Sequence, residues 1–382
     1  MKLLISAGEA SGDLLASLLA TALKKADPKT EVWALGGQRL KAVSDHFIAD
    51  LAGHGIMGWL EPITKLPYIF KLLADFKQLC KSERFDGFIP VDYYGLNIHF
   101  AKAAKLADIP VFYYVSPQVW ASRSYRAKKL AKWTDKVLCL FPFETDFYAD
   151  YGVAARFVGH PLAKTLGAYV TDVANDATRL IGLMPGSRPS EIVRHSDVLL
   201  RSWALIRAVN PQARAILFTR AQMRHLYPEE QRLMMMGITT CEGPAYAQRT
   251  RLSLCLTASG MSTLENMILG VPMVIFYSIA PAWLFPLLRF AVKTRFFGMP
   301  NILAGERIVD ESAWGANARA DTEAAAWIAA AANRLLADPA RLTAQRRALL
   351  KIAATLQAGA QQPEDVAARE ILQAIAYEKK PS

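Results

Sequence analysis

Two carboxylates and one arginine stand where their types and spacing allow chemistry. Glu9 lies in Gly8-Glu-Ala-Ser-Gly-Asp13, directly after the apolar run Leu3–Ala7, and Asp92 closes the run Gly87-Phe-Ile-Pro-Val-Asp92. A carboxylate at the C-terminal end of a buried strand lies at the crevice where open α/β sheets bind ligands, and there it can serve as a general base. A plain turn-forming role accounts for Asp92 as well. Arg188 ends Met184-Pro-Gly-Ser-Arg188, which follows the apolar run Arg179-Leu-Ile-Gly182. Pro189 suits a first helical turn, Glu191 lies in that turn, and Val193 to Val209 carries apolar residues at helical spacing. Free N–H groups at a helix start, with Gly186, Ser187 and the forked cation of Arg188, suit a phosphate. A packed strand–helix turn with an exposed arginine has the same local pattern.

A second turn of this kind is Ala258-Ser-Gly-Met-Ser-Thr-Leu-Glu265, with Ser259, Gly260, Thr263 and Glu265 as candidate nucleotide contacts. Ser262 and Glu265 also have capping-box spacing, which explains both without a ligand. Asn301, in the loop Met299–Gly305, is a candidate to read a base or ribose. In the first half, Gly8, Ser11 and Gly12 form a glycine loop before a helical run, though Ser11 would also serve as that helix's cap. The loop is not GxGxxG, and GxxxxGK[ST] occurs nowhere, so neither a dinucleotide fingerprint nor a P-loop is present. No Asp-x-Asp exists either, and the six histidines are scattered, so no metal is expected. Without a cation, a leaving diphosphate needs arginine and helix N-termini.

Positioning these residues takes two strand–turn–helix domains. The chain has 382 residues, 52% hydrophobic and 21% charged, enough for two folded α/β domains. Each half alternates short apolar runs with helical patterns, which predicts two doubly wound sheets facing a cleft. The expected boundaries are 1–165, 166–345 and a helical tail 346–382, with a linker between residues 160 and 178. The net charge of +11 favours an anionic partner and excludes none of nucleic acid, lipid surface or phosphorylated substrate. No RNA-binding signature appears, so no nucleic acid is expected. Cys80, Cys139, Cys241 and Cys255 form no CxxC and read as reduced core residues. No apolar run reaches membrane-span length. Ile63–Cys80, with lysines among bulky apolar residues, reads as a domain-packing helix or a membrane-surface helix, with Trp59 and Phe70 as candidate lipid contacts. Trp283–Phe297 is a second such segment, and a basic run, Arg123 to Lys132, follows Val111–Trp120.

The motifs resemble, in order, those of the lipid-A-disaccharide synthase family. They are Ala7-Gly-Glu-Ala-Ser-Gly-Asp13, Tyr114-Val-Ser-Pro-Gln-Val-Trp-Ala121, Phe141-Pro-Phe-Glu144, Phe157-Val-Gly-His-Pro161, Met184-Pro-Gly-Ser-Arg188 with Glu191, Ala258-Ser-Gly260 with Thr263 and Glu265, and Lys293-Thr294 with Pro300-Asn301 and Leu303-Ala-Gly305. They span most of the chain to Gly305. The resemblance implies a GT-B glycosyltransferase fold whose C-terminal helix crosses back to the first domain. It implies transfer of 2,3-diacylglucosamine from its UDP derivative to 2,3-diacylglucosamine 1-phosphate, forming a β-1,6 bond without a cofactor. It also implies a peripheral enzyme on the cytoplasmic face of an anionic inner membrane. Asn97 and Ser116 then fall on the acceptor side. A homo-oligomer stays open. Competing readings are a relative with the same UDP site and another acceptor, a UDP-sugar 2-epimerase, and a non-catalytic basic nucleotide- or RNA-binding protein. Two positions depart from the family's pattern. Val91-Asp-Tyr-Tyr-Gly-Leu-Asn97 has Gly95 where a second Asp is usual, and Tyr277-Ser278 stands in place of Tyr-Arg.

Overall fold

A computed structural model describes residues 1–51, 66–170, 179–279, 282–286 and 294–378. Trp59, Lys65, Lys293 and much of the expected linker lie outside the described residues. The chain divides into two compact units: Met1–Pro161 with Leu356–Ser382, and Leu162–Thr355.

The first unit is built on seven parallel strands: β1 (Lys2–Ala7), β2 (Glu31–Gly36), β3 (His46–Asp50), β4 (Gly87–Val91), β5 (Phe112–Tyr114), β6 (Lys136–Cys139) and β7 (Ala155–Phe157). Their order is β3-β2-β1-β4-β5-β6-β7. The order reverses between β1 and β4, where Ala7 pairs with Val91. That reversal is the topological switch point, where crossovers leave for opposite faces and open a crevice. Parallel sheets are covered on both faces, and Leu3, Leu4, Ile5, Ile89 and Val91 are accordingly fully buried. The helix Ala10–Ala26 buries Ala16, Leu19, Ala20 and Leu23, one face at helical spacing.

The last helix, Pro363–Glu378, returns to this unit. It lies against Ala10–Ala26 and buries Ala367, Ala368, Ile371 and Ile375. Ile375 comes so close to Gly87 that a Cβ there would stand 3.3 Å from its Cδ1. Lys136 and Arg156 both pair with Glu370 on the same helix.

The second unit carries six parallel strands: β8 (Leu180–Met184), β9 (Arg214–Thr219), β10 (Ile238–Glu242), β11 (Leu254–Ala258), β12 (Met273–Ile279) and β13 (Glu311–Gly315), in the order β10-β9-β8-β11-β12-β13. Its switch point falls between β8 and β11. The helix Pro339–Ala354 stays with this unit, so the tail begins later than residue 346. The reason is local. Gln345 is buried and accepts from Met273 N at 2.9 Å while donating to Ile308 O at 3.3 Å, and Leu349 is fully buried.

Ile63–Cys80 resolves into the helix Leu66–Ser82. Its Leu72, Phe76 and Cys80 are buried, and Phe76 stacks on Phe100 with centroids 4.3 Å apart. Packing therefore explains most of its apolar stripe. It does not explain Phe70, which is 65% exposed.

Candidate functional site

Asp92 leaves β4 at the first switch point in an unusual backbone. Its φ is +49° and that of Tyr93 is +44°, two consecutive left-handed residues without glycine. Such positions cost energy and persist only when their surroundings hold them. Here Tyr113 Oη donates to Asp92 O at 2.6 Å, and Asn97 Nδ2 donates to the same carbonyl at 2.9 Å and to Val91 O at 3.1 Å. Ser6 Oγ on β1 donates to Asn97 Oδ1 at 2.7 Å. Asn97 is fully buried with its amide engaged on both atoms, so it positions Asp92. Burial raises the Asp92 carboxyl above the ordinary aspartate range, opposed by a hydrogen bond from the Tyr93 N–H.

The glycine loop after β1 completes this corner. A Cβ on Gly8 would overlap the Tyr93 ring, and one on Gly12 would stand 3.8 Å from Asp92 Cβ. Glu9 is the N-cap position of Ala10–Ala26, and its charge, after burial, helps raise the Tyr93 hydroxyl. Ser11 is an exposed first-turn residue and not the cap. Asp13, buried in the same loop, accepts from the N–H groups of Gly37, Arg39 and Leu40. Ser116 is buried against Glu144 without a well-formed hydrogen bond of its own. Burial pushes the Glu144 carboxyl to about 7, and Trp120 Nε1 and Phe141 N donate to it at 3.0 and 3.1 Å.

In the second unit, Gly186, Ser187, Ser259, Gly260 and Glu265 line one cavity of about 500 Å³ at the β8/β11 switch point. Phe218, Arg220, Tyr227, Glu242, Tyr246 and Arg249 complete much of its wall. Arg188 is the N-cap of Pro189–Val209, and its side chain is 73% exposed. Glu191 sits beneath the turn, 4% exposed. It accepts from Ser187 N at 3.0 Å, Arg188 N at 3.2 Å, Arg188 Nη1 at 3.0 Å and Tyr277 Oη at 3.2 Å. The Ser187 and Arg188 N–H groups are therefore engaged within the protein and are not free at this turn. Gly186, at φ +122°, is required because a Cβ would come 2.6 Å from Glu191 Oε2. His195, fully buried, is hydrogen-bonded through Nδ1 to Pro185 O at 2.6 Å and accepts from Ser278 N at 3.1 Å. That pairing fixes the neutral tautomer with the proton on Nδ1 and ties the turn to β12.

The other turn is more open. Gly260, at φ +149° with nothing near its Cα face, is the N-cap of Met261–Ile268. The Ser262–Glu265 capping box does not form. Ser262 Oγ meets Thr257 Oγ1 at 2.9 Å, and Glu265 accepts from Arg249 Nη1 at 2.7 Å and Tyr246 Oη at 3.3 Å. Arg249 is 2% exposed and also grips Asn266 Oδ1 through Nε and Nη2. Thr263 is buried and donates to Gly260 O at 2.8 Å. Asn301 is buried as well, accepting from Ile308 N and Val309 N and donating to Val309 O. Both satisfy backbone groups of their own segments, and neither lines the cavity.

Arg249 and Tyr246 escape a sequence reading. They lie on the four-residue helix Tyr246–Arg249, after an edge strand, with no motif around them. Among the described residues no cluster of His, Cys, Asp and Glu is arranged to hold a metal ion.

Two doubly wound units with glycine turns at their switch points define the class as the GT-B type, shared by glycosyltransferases and sugar-nucleotide epimerases. Solved structures agree. The UDP-GlcNAc 2-epimerase of Neisseria meningitidis, bound to UDP-GlcNAc, has a TM-score of 0.59 at 12% identity, covering 99% of this chain and 100% of that one. The spinosyn rhamnosyltransferase complexed with thymidine diphosphate has a TM-score of 0.57 at 15% identity, covering 98% and 100%. These likenesses show the fold. Sequence decides between the activities. The profile of the family described as LpxB, lipid-A-disaccharide synthetase, matches residues 3–371. A lipid-A-disaccharide synthase of Geobacter metallireducens is 34% identical over 374 residues, covering 94% of each chain. The chain belongs to the lipid-A-disaccharide synthetase family, glycosyltransferases that join a UDP-sugar donor to a lipid acceptor.

Replacing Glu265 with alanine leaves the Arg249 guanidinium buried without its carboxylate. Loss of one partner of a buried pair costs about 3–5 kcal/mol. The Glu265→Ala protein should therefore unfold at clearly lower denaturant concentration than wild type. An unchanged midpoint would show that Asn266 and Ser262 suffice.

Proposed function

We propose that this glycosyltransferase moves 2,3-diacylglucosamine from its UDP derivative to 2,3-diacylglucosamine 1-phosphate by inverting displacement. The observation that carries this reading is the Asp92 corner, where a half-buried carboxylate stands at the switch point on a left-handed backbone held by Tyr113 and Asn97. Asp92 takes the proton from the acceptor's 6-hydroxyl as that oxygen attacks the anomeric carbon and UDP departs. Glu9 and the glycines of its loop shape the same corner. UDP occupies the cavity of the second unit. The open N-terminus after Gly260 and the exposed Arg188 face its phosphates, and Glu265, fixed by Arg249, takes the ribose hydroxyls. Glu191 makes this a site built around an arginine rather than around bare N–H groups. The family match disfavours the epimerase and nucleic-acid readings.

We also propose that the enzyme works peripherally on an anionic membrane. No described helix is long and apolar enough to cross one. Phe70 and Tyr68 are exposed beside the exposed Lys71, at the end of Leu66–Ser82 that adjoins the segment bearing Trp59.

Asp92→Asn should keep UDP affinity and lose about 10²–10⁴-fold in turnover. In wild type the base must be ionised, so kcat/KM should rise with pH through a pKa above the usual carboxylate range, and Asp92→Asn should lose that rise. Near-wild-type turnover removes Asp92 from the role. Arg188→Ala should weaken UDP binding about tenfold, the worth of a charge-assisted contact. Calorimetry showing equal affinity sinks the phosphate assignment. A Phe70→Ser, Lys71→Gln, Lys77→Gln triple variant should float less with phosphatidylglycerol vesicles; equal flotation makes this patch structural.

A further inference from the structure

Beside the Asp92 corner, within the same unit, runs a row of cations that the mechanism above leaves unused. The helix Tyr94–Lys105 starts at the corner. Across from it lie the turn Ser124–Arg126 and the helix Ala127–Trp133. The Arg126 guanidinium carbon stands 4.8 Å from the Tyr94 ring centroid. The lysines lie farther along. Lys129 and Lys102 act on His99, which burial and these charges hold below its ordinary pKa, and Lys102 and Lys132 lie over the Trp133 ring at 5.5 and 4.8 Å. His99 is five residues beyond Tyr94, about 7.5 Å along a helix. Tyr94 itself is two residues from Asp92, at most about 7 Å of chain. Of Arg126, Lys129, Lys102 and Lys132, Arg126 is therefore the one at the Asp92 end.

Its surroundings leave its charge available. Among the described residues Arg126 enters no ion pair. Gly95, exposed and with open space over its Cα, puts no side chain in the way. The Tyr94 hydroxyl is buried and has no hydrogen-bond partner among the described residues. An arginine stacked on an aromatic face still presents its N–H edge, in the fork geometry that matches phosphate oxygens.

We propose that Arg126, stacked on Tyr94, binds the anomeric phosphate monoester of the acceptor sugar while Asp92 addresses the hydroxyl on the other side of the same ring. This rests on the acceptor named above. It makes Arg126 a specificity residue that selects a phosphorylated glycolipid and sets which end of it faces the donor. A phosphate group also occurs on membrane phospholipids, so the test separates the two sources.

The experiment compares acceptors with and without the anomeric phosphate, in wild type, Arg126→Ala, Arg126→Gln and Arg126→Lys. On the phosphorylated acceptor, Arg126→Ala and Arg126→Gln should lose about 10–100-fold in kcat/KM, mainly through acceptor KM. On the acceptor lacking phosphate they should match wild type, and donor KM should not move. Arg126→Lys should fall between, keeping charge without the fork. Flotation with phosphatidylglycerol vesicles should be unchanged in Arg126→Gln. An equal loss on both acceptors marks Arg126 as merely structural and overturns the proposal. So does preserved discrimination, or weaker flotation with discrimination intact, which assigns the cation to phospholipid. A wild type that transfers to neither acceptor overturns the functional reading itself; an active wild type whose discrimination survives in Arg126→Ala overturns only the arginine.

Discussion

One buried amide organises the switch point of the first unit. Asn97 receives the Ser6 hydroxyl from β1 and gives its two N–H bonds to the carbonyls of Val91 and Asp92. It thereby fastens the ends of two neighbouring strands and the start of the following helix at the point where the strand order reverses. Without that anchor, and the Tyr113 hydroxyl beside it, the left-handed pair Asp92-Tyr93 would relax towards extended backbone, since each such residue costs about 1–3 kcal/mol. Relaxation would swing the carboxylate away and lift the Tyr93 ring off Gly8. The glycine loop, the tyrosine and the aspartate depend on one another through this bond set.

The second unit solves the same problem with a charge. Glu191 fills the space under the Gly-Ser-Arg turn and holds it through two backbone N–H groups and the Arg188 guanidinium. Burial alone would raise its carboxyl, but the donors around it win and lower it. It therefore remains an anion at the helix start, which makes the turn rigid and leaves the outer face of Arg188 as its cationic surface. His195 plays the matching role behind, neutral and bonded on both nitrogens, so the turn is fixed to β12 without adding charge.

Much of this was legible in the sequence, and the failures share a cause. The strands at the centre of each sheet are continuous apolar runs because both faces are covered, and their ends announced Asp92 and the two glycine turns. β3, β10 and β13 are not legible in this way. Each is an edge strand among the described residues, with a sequence such as Ile238-Thr-Thr-Cys-Glu242 that buries little on its outer side and so carries no strong apolar signal. With β10 unrecognised, the short helix after it was missed as well, and with it Arg249. The resemblance supplied the family and its order of motifs, but not which motif residues reach the ligand.

That distinction is one of burial, which a sequence does not carry. Asn97, Thr263, Glu191 and Asn301 looked like ligand contacts because polar residues in glycine turns near strand ends usually are candidates. In the folded chain each one satisfies backbone groups that the turns themselves expose, because a tight turn at the end of a buried strand leaves N–H and C=O groups that water cannot reach. The more sharply such a turn bends, the more of its own polar side chains it consumes. What remains for chemistry is the small set it does not consume. Asp92 is held by its backbone and keeps its carboxylate, Arg188 keeps its outer face, and Arg126 has a ring beneath it and no ion pair among the described residues. In each unit, then, the polar groups that folding leaves over are few, and the motif residues around them are largely the structure that keeps them so.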